Sequence, residues 1–272
     1  MSAIARVALF LIGYFVILVA ISVVKGMTPP AVREIAWGVG SAALLYALTR
    51  AMLARDGRDA AESGAAVRPA SFGRLGLGLV IGLATYALTL LALSVTLGPL
   101  HLSAPRWAGA EAWGLMLAST LALSAMEELG FRGYALRTLL PAIGPVRAQL
   151  VIALLFGLTH IAYGWPWRDV LLGVIPSGLV FGALALRSGG LAVPIGAHAG
   201  VNLAQWMVGE GGPGGVWTVD VAPEHLGAMA AYGAYVGCAV TLGLAAVLMR
   251  TSGRGAAAPD GVSSSSRTSG RS

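Results

Sequence analysis

Charge is scarce in this chain. Only 11% of its residues are Asp, Glu, Lys or Arg, against about 25% in a typical soluble domain, so an ordinary water-soluble globule is excluded. There is one cysteine, Cys238, which excludes an intramolecular disulfide framework and reads as a small buried apolar residue of the last hydrophobic run. No H-E-x-x-H or G-x-S-x-G motif occurs, and no Ser or Cys sits in an evident nucleophile motif. No internal repeat relates the two halves of the chain, as would be expected of many transporters.

What is present is apolar. Hydrophobic residues make up 57% of the sequence, in eight runs near the roughly 20 residues that a helix needs to cross a bilayer. They cover about 4–24, 35–54, 75–97, 112–138, 147–164, 169–186, 190–209 and 226–249. The predicted fold is therefore all-α: a polytopic transmembrane helical bundle of about eight spans around a membrane-embedded polar cavity. The first run is too long for a signal-peptide core and lacks a convincing small-residue cleavage site, so it counts as a span. Residues 1–250 form one membrane domain, with 112–210 as its polar core. Residues 251–272, rich in Gly, Ser and Arg, are predicted to be a disordered tail.

The net charge of +6 follows topology and gives no reason to invoke nucleic acid. Arg55, Arg58, Arg68 and Arg74 fall between the second and third runs. Arg137 and Arg147 follow the fourth, Arg187 the sixth, and Arg250, Arg254, Arg267 and Arg271 the eighth. Eight spans with both termini in the cytoplasm put all of these inside, as the positive-inside rule expects. The loop after the seventh run holds Glu210, Asp220 and Glu224 without Lys or Arg. Lys25, Arg33 and Arg106 would face outward against the rule. The segment 55–74 reads as a mobile basic loop or a short surface helix.

Against that background the polar residues inside the spans are few: Glu127, Glu128 and Arg132 in the fourth, His160 in the fifth, His198 and Asn202 in the seventh. Fifteen uncharged residues precede the glutamate pair, and a charge at the bilayer centre costs roughly 2.5–3.5 kcal/mol on insertion scales. Residues four apart share a helix face, so Glu128 can pair with Arg132 and His198 lies with Asn202. Glu127 points about 100° away from Glu128 and has no cationic partner on its own helix. Counted from the basic residue at each cytoplasmic end, Glu127 lies roughly 15 Å deep, His198 roughly 16 Å and His160 roughly 20 Å. Three residues on three spans thus share a depth and are expected to form one site.

An unpaired carboxylate in such surroundings can take a proton from water, so Glu127 is a candidate general base or metal-binding carboxylate. His160 could hold the same water or bind a metal through neutral imidazole. His198 and Asn202 could polarise a carbonyl or stabilise an oxyanion. Glu127, His160 and His198 together could complete a zinc site, or hold a water without metal. The chemistry described is hydrolysis of a peptide bond by activated water.

The three clusters Glu127-Glu128-x-x-Phe131-Arg132-Gly133, Phe156-x-x-x-His160 and His198-x-x-x-Asn202 resemble, in order and spacing, the motifs of the CPBP intramembrane proteases, the CAAX-processing and bacteriocin-processing (Abi) group. The resemblance covers residues 127–202. It implies a helical core around a membrane cavity, Glu127 and His160 activating the water, His198 and Asn202 stabilising the transition state, and Glu128 with Arg132 as a supporting pair. It also implies a membrane-associated protein or peptide as substrate; it says nothing of oligomeric state. Two readings of other classes use the same residues: a non-catalytic scaffold or bacteriocin-immunity factor, and a proton-coupled transporter. Around the site, Phe156 is expected to pack, Gly130 and Gly133 to admit close helix contacts, Pro194 to kink the seventh helix, and Ser177 to bond its own helix backbone.

Overall fold

The computed structural model describes residues 1–103, 109–210 and 215–252. Helices fill all eight predicted runs: α1 (Ala3–Met27), α2 (Arg33–Arg55), α3 (Pro69–Leu97), α4 (Ala110–Glu128) with α5 (Leu136–Ile143), α6 (Pro145–Ala162), the short α7 (Trp167–Asp169) leading into α8 (Ile175–Ser188), α9 (Ala192–Met207) and α10 (Pro223–Ser252). Two π-helical segments, Leu129–Ala135 and Val170–Val174, join α4 to α5 and α7 to α8. Six helical stretches are long and apolar enough to cross a membrane. Neither α4 nor α9, which carry the glutamate pair and His198, is among them. The molecule is a polytopic helical membrane protein, and its most polar helices lean on the others for burial.

The helices sort by what their faces meet. On α1, Ile12, Val16 and Val19 are exposed, and on α3 Leu77, Val80 and Leu88. An apolar band of this kind would aggregate in water and suits lipid. Most of α8 and α9, by contrast, is buried, so these two helices with the lower half of α4 and α6 form the centre. Pro194 stands in the first turn of α9. It starts that helix instead of kinking it, because a first-turn N–H has no intrahelical partner to lose.

The most extensive helix contact joins α3 to α9. Its cause is four glycines. A Cβ on Gly78 or Gly82 of α3 would overlap the carbonyl oxygens of Val193 and Ala197, and one on Gly196 or Gly200 of α9 those of Leu75 and Leu79. Each helix thus offers a Gly-x-x-x-Gly face, and the backbones meet directly, as membrane helices do where small residues line the seam. Of the two glycines expected to serve close contacts, Gly130 does, since a Cβ there would meet the Tyr14 ring; Gly133 has no neighbour closer than 3.9 Å.

At the arginine end the loops are tied down. Arg6 pairs with Asp56 at 3.0 Å, and Tyr134 donates to the same carboxylate at 2.7 Å. Residues 55–74 differ from expectation: a capped turn, Ala60–Ser63, docks there. Its Ser63 is buried, Leu191 N–H donates to the Gly64 carbonyl at 2.9 Å, and Arg58 reaches both Thr138 and Glu62. The Arg58 guanidinium holds the Glu62 carboxyl below its usual range. Helix α3 begins at Pro69, six residues before the predicted 75, with proline in its first turn.

At the opposite end, β1 (Leu100–Leu102) pairs antiparallel with β2 (Val219–Val221), His101 opposite Asp220. Lys25, a cation on the wrong side for the topology, is neutralised there: Glu34 lies 2.8 Å away and Trp37 presents its ring at 4.3 Å. Arg106 and the tail beyond 252 lie outside the described residues. Cys238 is half-buried, not fully enclosed.

Candidate active site

The glutamate pair closes α4, and the backbone widens into the π-helical turn immediately after it. Single π turns of this kind concentrate at functional sites. The widened turn is wholly buried, with Tyr14 of α1 against Gly130 and edge-on to Phe131 at 5.3 Å.

Glu128 and Arg132 are both fully buried and paired at 3.0 Å. The second guanidinium nitrogen donates to the Gly178 carbonyl of α8 at 2.9 Å, and the Phe156 ring lies 4.6 Å from the guanidinium carbon. His198 on α9 completes the group. Its Nδ1 is 3.1 Å from Glu128 Oε1 and its Nε2 is 3.4 Å from Glu127 Oε2. One imidazole therefore bridges both glutamates, although their side chains leave the helix 100° apart. Glu127 was expected to lack a cationic partner on its own helix, and the basic ring that reaches it comes from α9. The imidazole is fixed further by stacking on Phe181 at 4.5 Å and by the edge of Phe156 at 5.9 Å.

The two glutamates are held differently. Glu128 is gripped by Arg132 and His198 at one oxygen. Glu127 accepts no hydrogen bond among the described residues and retains 14% side-chain exposure. Removing Arg132 would leave a buried carboxylate without its countercharge, and breaking such a pair costs about 3–5 kcal/mol. Arg132→Met should therefore lower the thermal midpoint of the purified protein by many degrees, and adding Glu128→Gln should recover part of the loss. A midpoint equal to wild type for Arg132→Met would refute this account of the pair.

His160 is buried on α6 with Nδ1 2.9 Å from the Phe156 carbonyl. A carbonyl only accepts, so Nδ1 donates to it, and in the neutral imidazole Nε2 is left as an acceptor. Phe156 packs edge-on to this ring at 4.6 Å, and Trp165 at 5.2 Å. Phe156 thus packs as expected, but against Arg132 and both histidines.

A cavity of about 620 Å³ lies beside these groups, in the size range of ligand pockets. His160, His198 and Asn202 line it, and Glu127, 3.4 Å from His198, is not among the lining residues. Gln205, one turn on from Asn202, lines it as well, and neither amide has a side-chain hydrogen-bond partner among the described residues. Ser177 lines the cavity too, and no hydrogen bond ties its hydroxyl to its own helix. The i, i+3 step from Asn202 would have found Gln205 in the sequence. Phe181 and the Gly178 carbonyl carry no sequence signal, because they act by position alone. Among the described residues no three His, Cys, Asp or Glu side chains are grouped as metal ligands.

Two glutamates, two histidines and an amide thus gather in and beside one cavity inside a helical membrane bundle. Residues 109–204 match the family model for type II CAAX prenyl endopeptidase Rce1-like, so this segment is similar to CAAX-protease-like intramembrane endopeptidases. The match holds every residue described at the site from Glu127 to Asn202, and leaves α1–α3 and α10 outside it. A comparison of the chain with curated proteins gives no match.

Proposed function

We propose that this endopeptidase hydrolyses peptide bonds by water activated at Glu127 and His160, with His198 and Asn202 steadying the oxyanion. The observation that supports this most is the unequal grip on the two glutamates: Glu128 is locked, while Glu127 is free to accept a proton. Water held by the bare Nε2 of His160 attacks the carbonyl carbon and its proton passes to Glu127. That proton then goes to the leaving nitrogen as the C–N bond breaks, giving a carboxylate and an amine. His198 would serve the oxyanion through Nε2, whose contact to Glu127 is long at 3.4 Å. The donor arrangement favours this route over zinc chemistry, and no step needs a metal.

Both termini are proposed to be cytoplasmic. Arg58, Arg137 and Arg187 gather at one end, bonded to Thr138, the Gly189 carbonyl and the Leu248 carbonyl. The exposed residues of the cavity wall, Trp165, Asp169 and Glu210, belong to the other. The chamber would then open to the outside. The test compares new protein N-termini in membranes of cells holding equal amounts of wild type or His160→Ala. Termini unique to wild type, at extracytoplasmic segments, are expected. Identical profiles would contradict proteolysis, and cytoplasmic sites would contradict the orientation.

A further inference from the structure

The charged side chains that line the chamber, apart from its histidines, are Asp169 and Glu210. Both are exposed, and neither is in a salt bridge among the described residues. Among the described residues no Lys or Arg lines the wall. Arg168, next to Asp169, turns away: its guanidinium donates to the Ala231 carbonyl at 3.0 Å and lies over the Tyr235 ring. Deeper in, the bare Nε2 of His160, 8% exposed, and the unpartnered Asn202 and Gln205 face the same space. The chamber therefore has polar groups awaiting a ligand inside and charge of one sign at its mouth. A cleft lined by one sign of charge between low-dielectric walls concentrates counter-charged ligands.

We infer that Asp169 and Glu210 select the substrate: the chamber takes peptide segments with a cationic side chain near the scissile bond and disfavours segments that bring an acidic side chain there. The inference rests on the proteolytic reading for the meaning of "scissile bond", but the selection itself is a property of binding. The acids come from α7 and from the end of α9, one inside and one beyond the family-matched segment. The selectivity belongs to this chain's own mouth.

The test is a binding measurement. Three short apolar peptides, amide-capped, identical except for Lys, Gln or Glu at one central position and carrying an uncharged fluorophore, are titrated against the full chain in zwitterionic nanodiscs. The Glu127→Gln background prevents turnover. The Lys peptide should bind about tenfold more tightly than the Glu peptide, with Gln between, and added salt should shrink the gap. Asp169→Asn/Glu210→Gln should reduce the ratio to about two or less. Equal affinities, no binding by any of the three, or an unchanged ratio in the double variant would each overturn the inference. Cleavage by the wild-type chain is scored separately. Ordered binding without cleavage counts against proteolysis alone, and cleavage without charge ordering counts against this inference alone.

Discussion

Glu127→Gln should abolish peptide cleavage while leaving the protein folded. A positioned general base contributes about 10²–10⁴-fold, and Gln cannot take the proton from the attacking water, so a fall of about 10³-fold is expected. The fold should survive because the Glu127 carboxylate accepts no hydrogen bond that Gln would lose, and its contact to His198 is long at 3.4 Å. Glu128→Gln provides the contrast. It weakens a fully buried ion pair and the bond to His198 Nδ1, so stability and activity should fall together. The measurement is cleavage of a quenched peptide by purified protein, paired with a thermal midpoint for each variant. Activity of the wild type should also withstand a metal chelator. A Glu127→Gln protein that cleaves at the wild-type rate would remove Glu127 as the base, and chelator sensitivity would return the site to zinc.

The parts of this site that a sequence shows are those set by short-range spacing. The four-residue step from Glu128 to Arg132 predicts their pairing on any helix, and the π turn between them does not break it. The common depth of Glu127, His160 and His198 follows from helix rise alone, and His198 does reach Glu127 in space. What escapes is set by the third dimension. That one imidazole would touch both glutamates depends on where α9 passes α4. That His198 would line the main cavity and Glu127 would not depends on how α4 and α9 pack. Glu210 reads as a loop acid and Asp169 only marks the edge of a hydrophobic run, 41 positions away in sequence, and only the fold sets them around one mouth. The Gly-x-x-x-Gly faces of α3 and α9 were legible as spelling, but two glycines on a helix do not name their partner.

Those glycines carry the second large effect. His198 lies between Gly196 and Gly200 on the helix that packs backbone to backbone against α3, so the position of the imidazole is fixed by that seam. In Gly196→Leu the new Cβ would run into the Leu75 carbonyl, and a carbonyl in a helix has no rotamer by which to yield. Overpacking a tight core costs about 1–3 kcal/mol where side chains can adjust; here the helices themselves must part, so the upper end of that range or beyond is expected. Separation would also carry His198 away from Glu128 and leave a buried carboxylate with one partner fewer. Gly196→Leu and Gly82→Leu should therefore give little monodisperse protein and no cleavage, whereas Gly243→Leu on α10, whose Cβ meets nothing within 4 Å, should behave as wild type. The comparison is read by size-exclusion profile and thermal midpoint in the same detergent. If Gly196→Leu melts with the wild type, the α3–α9 seam is not what holds His198. The placement of α3, a helix outside the matched family segment, would then no longer explain how the site is assembled.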